Sequence, residues 1–348
     1  MSVADAELSE SLLTRVLGSF ECLDGVSVSD LSTSDSGLIN RTYIIGQRYV
    51  LQRLHPIFGA EVNDDIHAIG ELARARGLEL PHILPSRGGE RWFECEGIWR
   101  VLSFLPGKTL HQLEKPSQAH SAGRLVGEFH RVMRDVAYTF KFSRGTFHDT
   151  SMRMTELKAA LRAHPSHRLF RRVDALAREI FGMWNALEDR LSLPLRICHG
   201  DLKVSNLRFD ESGLVATGLL DLDTMTHGTL DAELGDAFRS WCNKALEHAE
   251  EPHWDLDFFS DAWRGFEHAA GDILTAEERA SIVPGTLRII LELSARFATD
   301  ALNECYFGFD STVASTRGEH NLLRAESQLA LAMIVQKNRM VMDEIIHG

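Results

Sequence analysis

Apolar residues follow two different periods along the first hundred positions. Leu12 and Val16 belong to a stripe at helical spacing that predicts an N-terminal amphipathic helix, and Ile66 and Ile69 belong to a second such stripe. Between them, β-branched and aromatic residues flank positions 46–47 and predict a hairpin. Further strands are expected at 82–84, 91–95 and 99–104. This order of elements predicts a small α+β unit.

Farther along the chain the apolar pattern becomes mainly helical. Ser117 is expected to cap one helix, and Thr275 with Glu278 forms a capping-box pattern at another. Further helices are expected at 151–163, at 169–191 and from 232 to the end, with short strands at 196–198, 207–209 and 214–222. We therefore predict an α+β fold of two lobes, a small sheet-containing N-lobe at 1–105 and a larger, mainly helical C-lobe at 106–348.

Composition narrows the classes of partner. The chain has 348 residues, 44% of them hydrophobic, and a formal net charge of −13 from 37 basic and 50 acidic residues. This balance argues against a nucleic-acid partner, because phosphate backbones are bound by clustered Lys and Arg. The chain shows no apolar run long enough for a membrane span and no signal-peptide pattern. Five scattered cysteines favour a reducing compartment, so we expect a cytoplasmic protein without a membrane partner. Its oligomeric state does not follow from the sequence.

One stretch carries the candidate chemistry. His199-x-Asp201-Leu202 followed by Asn206 has the catalytic-loop spacing of protein kinases, and Asp221 ends an apolar strand shortly afterwards. A carboxylate at Asp201 can accept the proton of an attacking hydroxyl. The oxygens of Asn206 and Asp221 are the hard ligands that Mg²⁺ prefers. We therefore predict a kinase that transfers a phosphoryl group from a metal–nucleotide complex.

Two neighbours complete the predicted loop. Lys203 is placed to reach the transferred phosphoryl group as a point charge, and we assign it to catalysis with Asp201. His199 is expected to support the loop rather than to take part in chemistry.

Part of the protein-kinase pattern for binding nucleotide is altered. A Gly-x-Gly-x-x-Gly loop is missing from the sequence between the first strands. The polar segment with Ser36, Gly37 and Asn40 either lays backbone N–H groups over the phosphates or is an ordinary connection between strands; we assign it to nucleotide binding. Gln52 and Arg53 stand where protein kinases carry the phosphate-anchoring lysine. Strand alternation turns them to opposite faces, so one of the two meets the phosphates.

Two further features of the sequence concern the acidic partner of the phosphate-anchoring position and the acceptor of the phosphoryl group. The acidic partner expected on the following helix is Asp64, Asp65 or Glu71. The sequence contains no Ala-Pro-Glu activation segment, which argues against a protein substrate.

Several separate stretches resemble one superfamily. The chain is similar to the aminoglycoside phosphotransferase/choline kinase superfamily, and within it to the N-acetylhexosamine 1-kinases, from about residue 35 to the end. The stretches that carry the resemblance are 37–43, 49–53, 147–150, 220–224, 235–237, Arg296-Phe297-Ala298-Thr299-Asp300 and Glu319-His320-Asn321-Leu322. The resemblance implies a two-lobed kinase fold, ATP and Mg²⁺, and transfer of phosphate to the anomeric hydroxyl of a free N-acetylhexosamine.

The resemblance also implies roles for individual residues. Ser103 and Leu105 would lie in the hinge that touches adenine. The substrate side would be formed by His148, Asp223, Arg296 and Tyr306. For Arg296 and Tyr306 a role in the core or in a salt bridge is an equal alternative, and the role of His148 is left open. Asp149 is expected to cap the helix that follows, and Asp236 to hold the catalytic-loop backbone.

The chain also departs from its relatives. They carry Asn-Asp-Thr where this chain has Gly200-Asp201-Leu202, and an aspartate at Glu233; Trp241 is a further change expected near the pocket. These differences concern the identity of the sugar.

Two alternative functions stand beside that of a sugar kinase. An aminoglycoside or choline/ethanolamine-type phosphotransferase suits the acidic chain, because cationic substrates favour nearby carboxylates. A nucleotide-binding pseudokinase is suggested by the altered lysine position, although Asp201, Asn206 and Asp221 are intact.

Overall fold

The computed structural model of the protein describes residues 8–33, 40–142, 148–187 and 191–348. The chain divides into two compact units. The first comprises Met1–Thr109, Asp135–Gly145 and Ser205–Thr226, and the second Leu110–Arg134, Thr146–Val204 and His227–Gly348. The predicted C-lobe, 106–348, includes the segments 106–109, 135–145 and 205–226, which belong to the first unit here. The division into lobes stays a prediction.

An antiparallel sheet forms the centre of the first unit. Its strands in spatial order are β1 (Leu31–Thr33), β2 (Arg41–Ile45), β3 (Tyr49–Arg53), β6 (Ile98–Ser103) and β4 (Ile83–Leu84), and β5 (Phe93–Glu94) also pairs with β6. The predicted hairpin is β2–β3, in which Ile45 pairs with Tyr49. Gly46 and Gln47 between them both have positive φ, as in a type I′ turn.

Helix α1 (Glu10–Leu17) covers this sheet. Ser9 caps the helix by accepting a hydrogen bond from the Leu12 N–H. The apolar stripe of α1 packs on Leu51 and Trp99 of the sheet, both of which are completely buried. The two periods seen in the sequence therefore meet in one core.

Two more elements complete the first unit. Helix α2 (Val62–Arg74) buries the second predicted stripe, including Ile66 and Ile69. A second, three-stranded sheet has the order β10 (Ala216–Leu219), β9 (Leu207–Phe209), β7 (Lys108–Thr109), and all its pairs are antiparallel.

The second unit is mainly helical. Its helices are α3 (Pro116–Met133), α4 (Thr150–Ala163), α5 (Phe170–Ala186), α6 (Leu230–Trp241), α7 (Leu256–Ala270), α8 (Ala276–Asn303), α9 (Arg317–Lys337) and α10 (Arg339–His347). The strands β8 (Arg196–Cys198) and β11 (Thr226–Gly228) form a two-stranded sheet. With a small antiparallel sheet early in the chain and helices later, the predicted α+β class is confirmed.

Glycines allow α3 and α7 to pack closely. A methyl group at Gly123 would lie 2.0 Å from the carbonyl oxygen of Ala262, and one at Gly265 would lie 2.0 Å from that of His120. Each helix therefore presents a glycine to the backbone of the other, and a larger side chain at either position would push the helices apart.

Some predicted boundaries were wrong. Helix α3 begins at Pro116 with Lys115 as its N-cap, so Ser117 lies inside the first turn; proline suits this position because the first N–H of a helix has no intrahelical partner. Helix α5 ends at Ala186 rather than 191. Strand β10 stops at Leu219. Residues 242–255 are not helical. The capping box of Thr275 and Glu278 is confirmed at α8.

Within the described part of the chain, helices of sufficient length and apolarity to cross a lipid bilayer are absent.

Candidate functional site

The predicted catalytic loop leaves β8 in the second unit. Ile197 and Cys198 are buried, and the loop that follows brings Asp201 to a partly exposed position. The Nζ of Lys203 lies 2.8 Å from the Oδ2 of Asp201. The Asp201 N–H donates to the Nδ1 of buried His199 at 3.3 Å, so His199 supports the loop backbone as predicted. The carboxylate of Asp201 and the ammonium group of Lys203 thus form an ion pair on a loop whose backbone is hydrogen-bonded to His199.

One face of α6 holds the backbone of this loop. Its side chains recur at 233, 236, 240 and 241, a spacing that places them on the same side of a helix. Their contacts are the N–H groups of His199 and Gly200 donating to Glu233 (2.7 and 2.9 Å), the Leu202 N–H donating to Asp236 (2.9 Å), the Val204 N–H donating to the Ser240 hydroxyl (3.0 Å), and the Trp241 indole N–H donating to the Leu202 carbonyl (2.7 Å). The predicted role of Asp236 is confirmed, whereas Trp241 is a buried support of the loop.

Glu233 is a buried anion at this face. Burial alone would raise its pKa, but the nearby His130 ring and the Gly200 N–H stabilise the charge and hold the pKa of the carboxyl below its usual value. Gly200 has φ of 83°, which glycine adopts without strain. Gly200 and Glu233, two residues at which the chain departs from its relatives, are therefore in direct contact.

The predicted metal ligands belong to the first unit. The Leu220 N–H donates to the carbonyl of Asn206 at 2.8 Å, and Leu207 pairs with Leu219, so the β9–β10 pairing brings Asn206 beside the residue before Asp221. Asp221 is exposed and has φ of 57°, a left-handed conformation that is uncommon outside glycine and is concentrated at functional sites. One carboxylate and one carboxamide match the few protein ligands that Mg²⁺ takes when phosphate oxygens and waters supply the rest. These residues fit a divalent cation.

A buried ion pair lies two residues farther on, still in the first unit. Arg100 on β6 makes two parallel hydrogen bonds to Asp223, at 2.5 and 2.9 Å, and the two side chains are 1% and 0% exposed. The amide of Asn40 also donates to Asp223, while its Oδ1 accepts the His55 N–H at 2.9 Å. Such bidentate pairing fixes both partners in one geometry.

Comparison with known proteins identifies the family. The model of the phosphotransferase enzyme family matches residues 30–268, more than half of the chain. The chain belongs to this phosphotransferase family. The predicted superfamily resemblance is thereby confirmed at the level of the family.

Solved structures share the fold of this phosphotransferase at low sequence identity. An aminoglycoside phosphotransferase from Alicyclobacillus acidocaldarius has a TM-score of 0.64 and 14% identity, with 100% of this chain and 99% of that one covered. A choline/ethanolamine kinase family protein from Mesorhizobium loti gives 0.60 and 15%, covering 97% and 99%. An amicoumacin kinase in complex with AMP-PNP, Ca²⁺ and Ami gives 0.63 and 13%, covering 93% of both chains. The predicted kinase-like fold is confirmed.

In this phosphotransferase, Gln52 and Arg53 have different surroundings. The Arg53 guanidinium donates to the carbonyl of Glu96 and lies 6.0 Å from the centre of the Trp99 ring. Gln52 accepts from Arg100 at 2.7 and 2.9 Å and donates to the Thr42 hydroxyl at 3.0 Å. The cation next to Gln52 is therefore Arg100, its cross-strand partner in β6. Arg100 lies on the neighbouring strand β6, so a lysine equivalent sought within β3 alone does not reveal it.

The acidic candidates on α2 face other groups. Asp64 pairs with Arg91 at 2.7 Å and with Lys141 at 2.8 Å, and Glu71 pairs with Arg74. Asp65 accepts hydrogen bonds from the Tyr138 hydroxyl and from the backbone N–H groups of residues 141 and 142. The α2 side chain beside Arg100 is the amide of Asn63, at 3.4 Å. The prediction of an acidic helical partner was wrong for these three residues.

The remaining nucleotide candidates lie in the first unit. Ser36 and Gly37 are outside the described residues. Asn40 is buried in the network of Asp223. The Ser103 hydroxyl accepts the His82 N–H at 3.1 Å, and the Leu105 side chain packs against Gly218. Nucleotide contacts at these positions stay predictions.

The predicted substrate residues have contrasting environments. Asp223 has its carboxylate buried against Arg100, so a structural role fits it better than the predicted substrate contact. In the second unit, Arg296 on α8 lies 5.4 Å from the centre of the Phe307 ring, and Tyr306 in the following loop is 53% exposed.

His148 and Asp149 both have hydrogen-bond partners within the second unit. Asp149 caps α4 through the Met152 N–H, as predicted. His148 lies between Glu292 and the Gly200 carbonyl, at 3.3 and 3.2 Å.

Proposed function

We propose that this phosphotransferase moves the γ-phosphoryl group of ATP, in the presence of Mg²⁺, to the anomeric hydroxyl of an N-acetylhexosamine or a related sugar. The observation that carries the phosphotransfer part is the position of Asp201, at the partly exposed tip of a loop whose backbone is held by α6 in a member of the phosphotransferase family. Preorganisation of this kind is what catalysis of phosphoryl transfer requires from a protein.

The proposed roles follow from the chemistry of each side chain. Asp201 accepts the proton of the attacking hydroxyl as the bond to phosphorus forms. Lys203, paired with Asp201 at 2.8 Å, stabilises negative charge on the transferred phosphoryl group. Asn206 and Asp221 would hold Mg²⁺, which neutralises charge on the phosphates when it is bound.

The nucleotide site is proposed on the sheet of the first unit. Gln52 is the β3 side chain that we assign to the phosphates, and Arg100 holds it in place through two hydrogen bonds. Ser36 and Gly37 are proposed for the phosphates and the segment from Ser103 to Leu105 for adenine, as the resemblance implies.

The sugar assignment is supported by the region after α8. Asp300 accepts three backbone N–H groups, from Cys305, Tyr306 and Phe307 at 2.8–2.9 Å, and the side-chain amide of Asn321 at 2.8 Å. Two stretches that resemble the N-acetylhexosamine 1-kinases, around 296–300 and 319–322, are thus joined through one carboxylate. We propose that Arg296 and Tyr306, presented by this junction, contact the sugar, since an exposed aromatic ring suits the apolar face of a hexose.

The compartment is part of the proposal. Cys22, Cys95, Cys198, Cys242 and Cys305 are free thiols, which supports a reducing cytoplasm.

A screen of acceptors tests the proposed function. ADP release would be followed with ATP and Mg²⁺ in the presence of N-acetylglucosamine, N-acetylgalactosamine, glucose, kanamycin or choline. We expect turnover with an N-acetylhexosamine and a loss of at least about a thousandfold in kcat for Asp201→Asn, with nucleotide affinity nearly unchanged.

Other results would point to the alternatives. Product from kanamycin or choline alone would refute the sugar assignment and favour an aminoglycoside or choline-type kinase. Nucleotide binding without product from any acceptor would favour the pseudokinase. Equal activity of Asp201→Asn and the wild type would remove Asp201 from the mechanism.

A further inference from the structure

The peptide group that joins Gly200 to Asp201 is held at both of its polar ends. Its N–H donates to the Nδ1 of His199 at 3.3 Å, and its carbonyl oxygen lies 3.2 Å from the Nε2 of His148. This peptide directly precedes the carboxylate that we propose as the base. A rotation of the peptide would therefore move the Asp201 side chain.

The second nitrogen of the His148 ring meets an anion. Its Nδ1 lies 3.3 Å from the Oε1 of Glu292 on α8, and the other carboxylate oxygen of Glu292 accepts the Thr150 hydroxyl at 2.8 Å. The side chains of His148 and Glu292 are 13% and 2% exposed. The ring thus bridges α8 and the catalytic loop within the second unit.

The two partners determine the protonation state of the ring. A carbonyl oxygen can only accept a hydrogen bond, so Nε2 must carry a proton to bind Gly200. An ionised carboxylate can also only accept, so Nδ1 must carry a proton to bind Glu292. Both contacts are satisfied together only by the imidazolium form, and charge-assisted hydrogen bonds are the stronger kind.

Surrounding charges agree with this state. Burial favours the neutral ring, but the hydrogen bond and charge of Glu292, with a further contribution from Asp236 on α6, outweigh both burial and the opposing charge of Arg296, and the pKa of His148 is raised. The pKa of Glu292 is lowered in turn, because its bonds from His148 and Thr150 outweigh its burial. Next to His148, the carboxylate of Asp149 is directed to the Met152 N–H instead.

We propose that His148 is a positioning residue: as an imidazolium bound to Glu292, it holds the Gly200 carbonyl and so sets the orientation of Asp201. This inference rests on the proposed function for its kinetic consequence. Loss of one ring proton leaves a nitrogen lone pair facing either the Gly200 oxygen or the Glu292 carboxylate, and each arrangement is repulsive. The loop therefore loses its support as the pH rises through the pKa of His148, and kcat falls on the alkaline side.

Nuclear magnetic resonance tests the charge without relying on activity. The full chain would be labelled at the histidine ring carbons, and the signal of His148 among the 16 histidines would be assigned by its absence from His148→Gln or His148→Asn. We expect the ring to titrate above 6.5 in the wild type and at a lower pH in Glu292→Gln. A ring that titrates at or below 6.5 in the wild type, or one that titrates unchanged in Glu292→Gln, would overturn the proposal.

The pH dependence of kcat tests the positioning role. Glu292→Gln keeps the shape of the side chain but removes its charge, so the alkaline fall in kcat should begin at a lower pH. His148→Gln, which cannot titrate, should lose about tenfold in kcat near pH 7, and the ratio of its kcat to that of the wild type should rise with pH. A merely structural role predicts a loss that is the same at every pH, and that result would refute the proposal.

His164→Gln provides a matched control. It makes the same chemical change in the same unit at a histidine that is bonded to Asn303 rather than to the loop, and its activity ratio to the wild type should not vary with pH. If the wild type phosphorylates none of the acceptors, the proposed function fails, whereas the resonance experiment still decides the charge of His148. The two failures are thus distinguishable.

Discussion

Replacing Arg100 by methionine would leave the carboxylate of Asp223 buried without its cation. Both side chains are almost completely inaccessible, and Asp223 receives two of its hydrogen bonds from this guanidinium. Gln52 would also lose the donor that its carbonyl oxygen binds. Removing one partner of a buried ion pair destabilises proteins by about 3–5 kcal/mol, because the remaining charge is uncompensated.

Thermal unfolding of the full chain measures this cost. With an unfolding entropy of roughly 2.1 cal/mol/K per residue, a chain of 348 residues shifts by about 1.4 °C per kcal/mol, so Arg100→Met should lower Tm by about 4–7 °C. The double variant Arg100→Met/Asp223→Leu should recover part of the loss, since an apolar pair of similar volume is often nearly neutral in place of a buried ion pair. The coupling between the two substitutions would therefore be large. The recovery should be incomplete, because the Asn40 amide loses its acceptor and Gln52 loses its donor.

An exposed pair in the same unit is the control. Arg15 and Glu96 lie 3.3 Å apart with side chains 59% and 66% exposed. Arg15→Met should change stability by less than about 1 kcal/mol, as is usual for surface ion pairs. If Arg100→Met unfolded at the same temperature as Arg15→Met, or if the double variant were as unstable as the sum of its parts, the assigned importance of the buried pair would be wrong.

Three further predictions concern the second unit. Gly123→Ala should destabilise the chain by about 1–3 kcal/mol in thermal unfolding, because its methyl group meets the backbone of α7; Gly182→Ala, where nothing lies within 4 Å, should stabilise α5 by about 0.5–1 kcal/mol, and similar effects of the two would contradict the close packing. Trp241→Phe should reduce kcat by about tenfold in the ADP-release assay, because the Leu202 carbonyl loses its donor, whereas Trp184→Phe on α5 should retain full activity; an unchanged kcat in the first variant would speak against the loop support. The stability contributed by the pair of His148 and Glu292 should be greatest between pH 4.5 and 6.5: the raised pKa of His148 means that its part is lost as the pH rises through that pKa, and the lowered pKa of Glu292 means that its part is lost as the pH falls through that pKa. The Tm difference between the wild type and Glu292→Gln should therefore narrow on both sides of this range, and a constant difference would refute the assignment.

Local patterns predicted those elements whose residues share one clear period. The strands at 196–198 and 207–209 have the predicted bounds, because each is a short apolar run next to polar loop residues. The strand predicted at 214–222 was too long. Its apolar run continues to Leu220, but Asp221 adopts a left-handed conformation that ends the extended backbone, and hydrophobicity does not report φ.

In the candidate site, too, residues with a local sequence signal could be predicted, and residues joined only by tertiary contacts could not. Asp236 was recognised from its place in a resembling stretch, and the positions 233, 236, 240 and 241 share a helical spacing that a search for one polar face of α6 would have found. Arg100 and Glu292 left no such local signal. Arg100 reaches Gln52 across two paired strands, and Glu292 reaches His148 from a helix 144 residues later in the chain. Contacts of this kind depend on tertiary packing.

The position of the phosphate in the product distinguishes a sugar 1-kinase from other phosphotransferases. N-acetylglucosamine or N-acetylgalactosamine labelled with ¹³C at C1 would be incubated with the protein, ATP and Mg²⁺, and the product examined by ³¹P nuclear magnetic resonance. We expect a new phosphomonoester signal coupled to the labelled carbon, formed by the wild type and absent with Asp201→Asn. A phosphate attached to another carbon, or product formed only from kanamycin or choline, would contradict it.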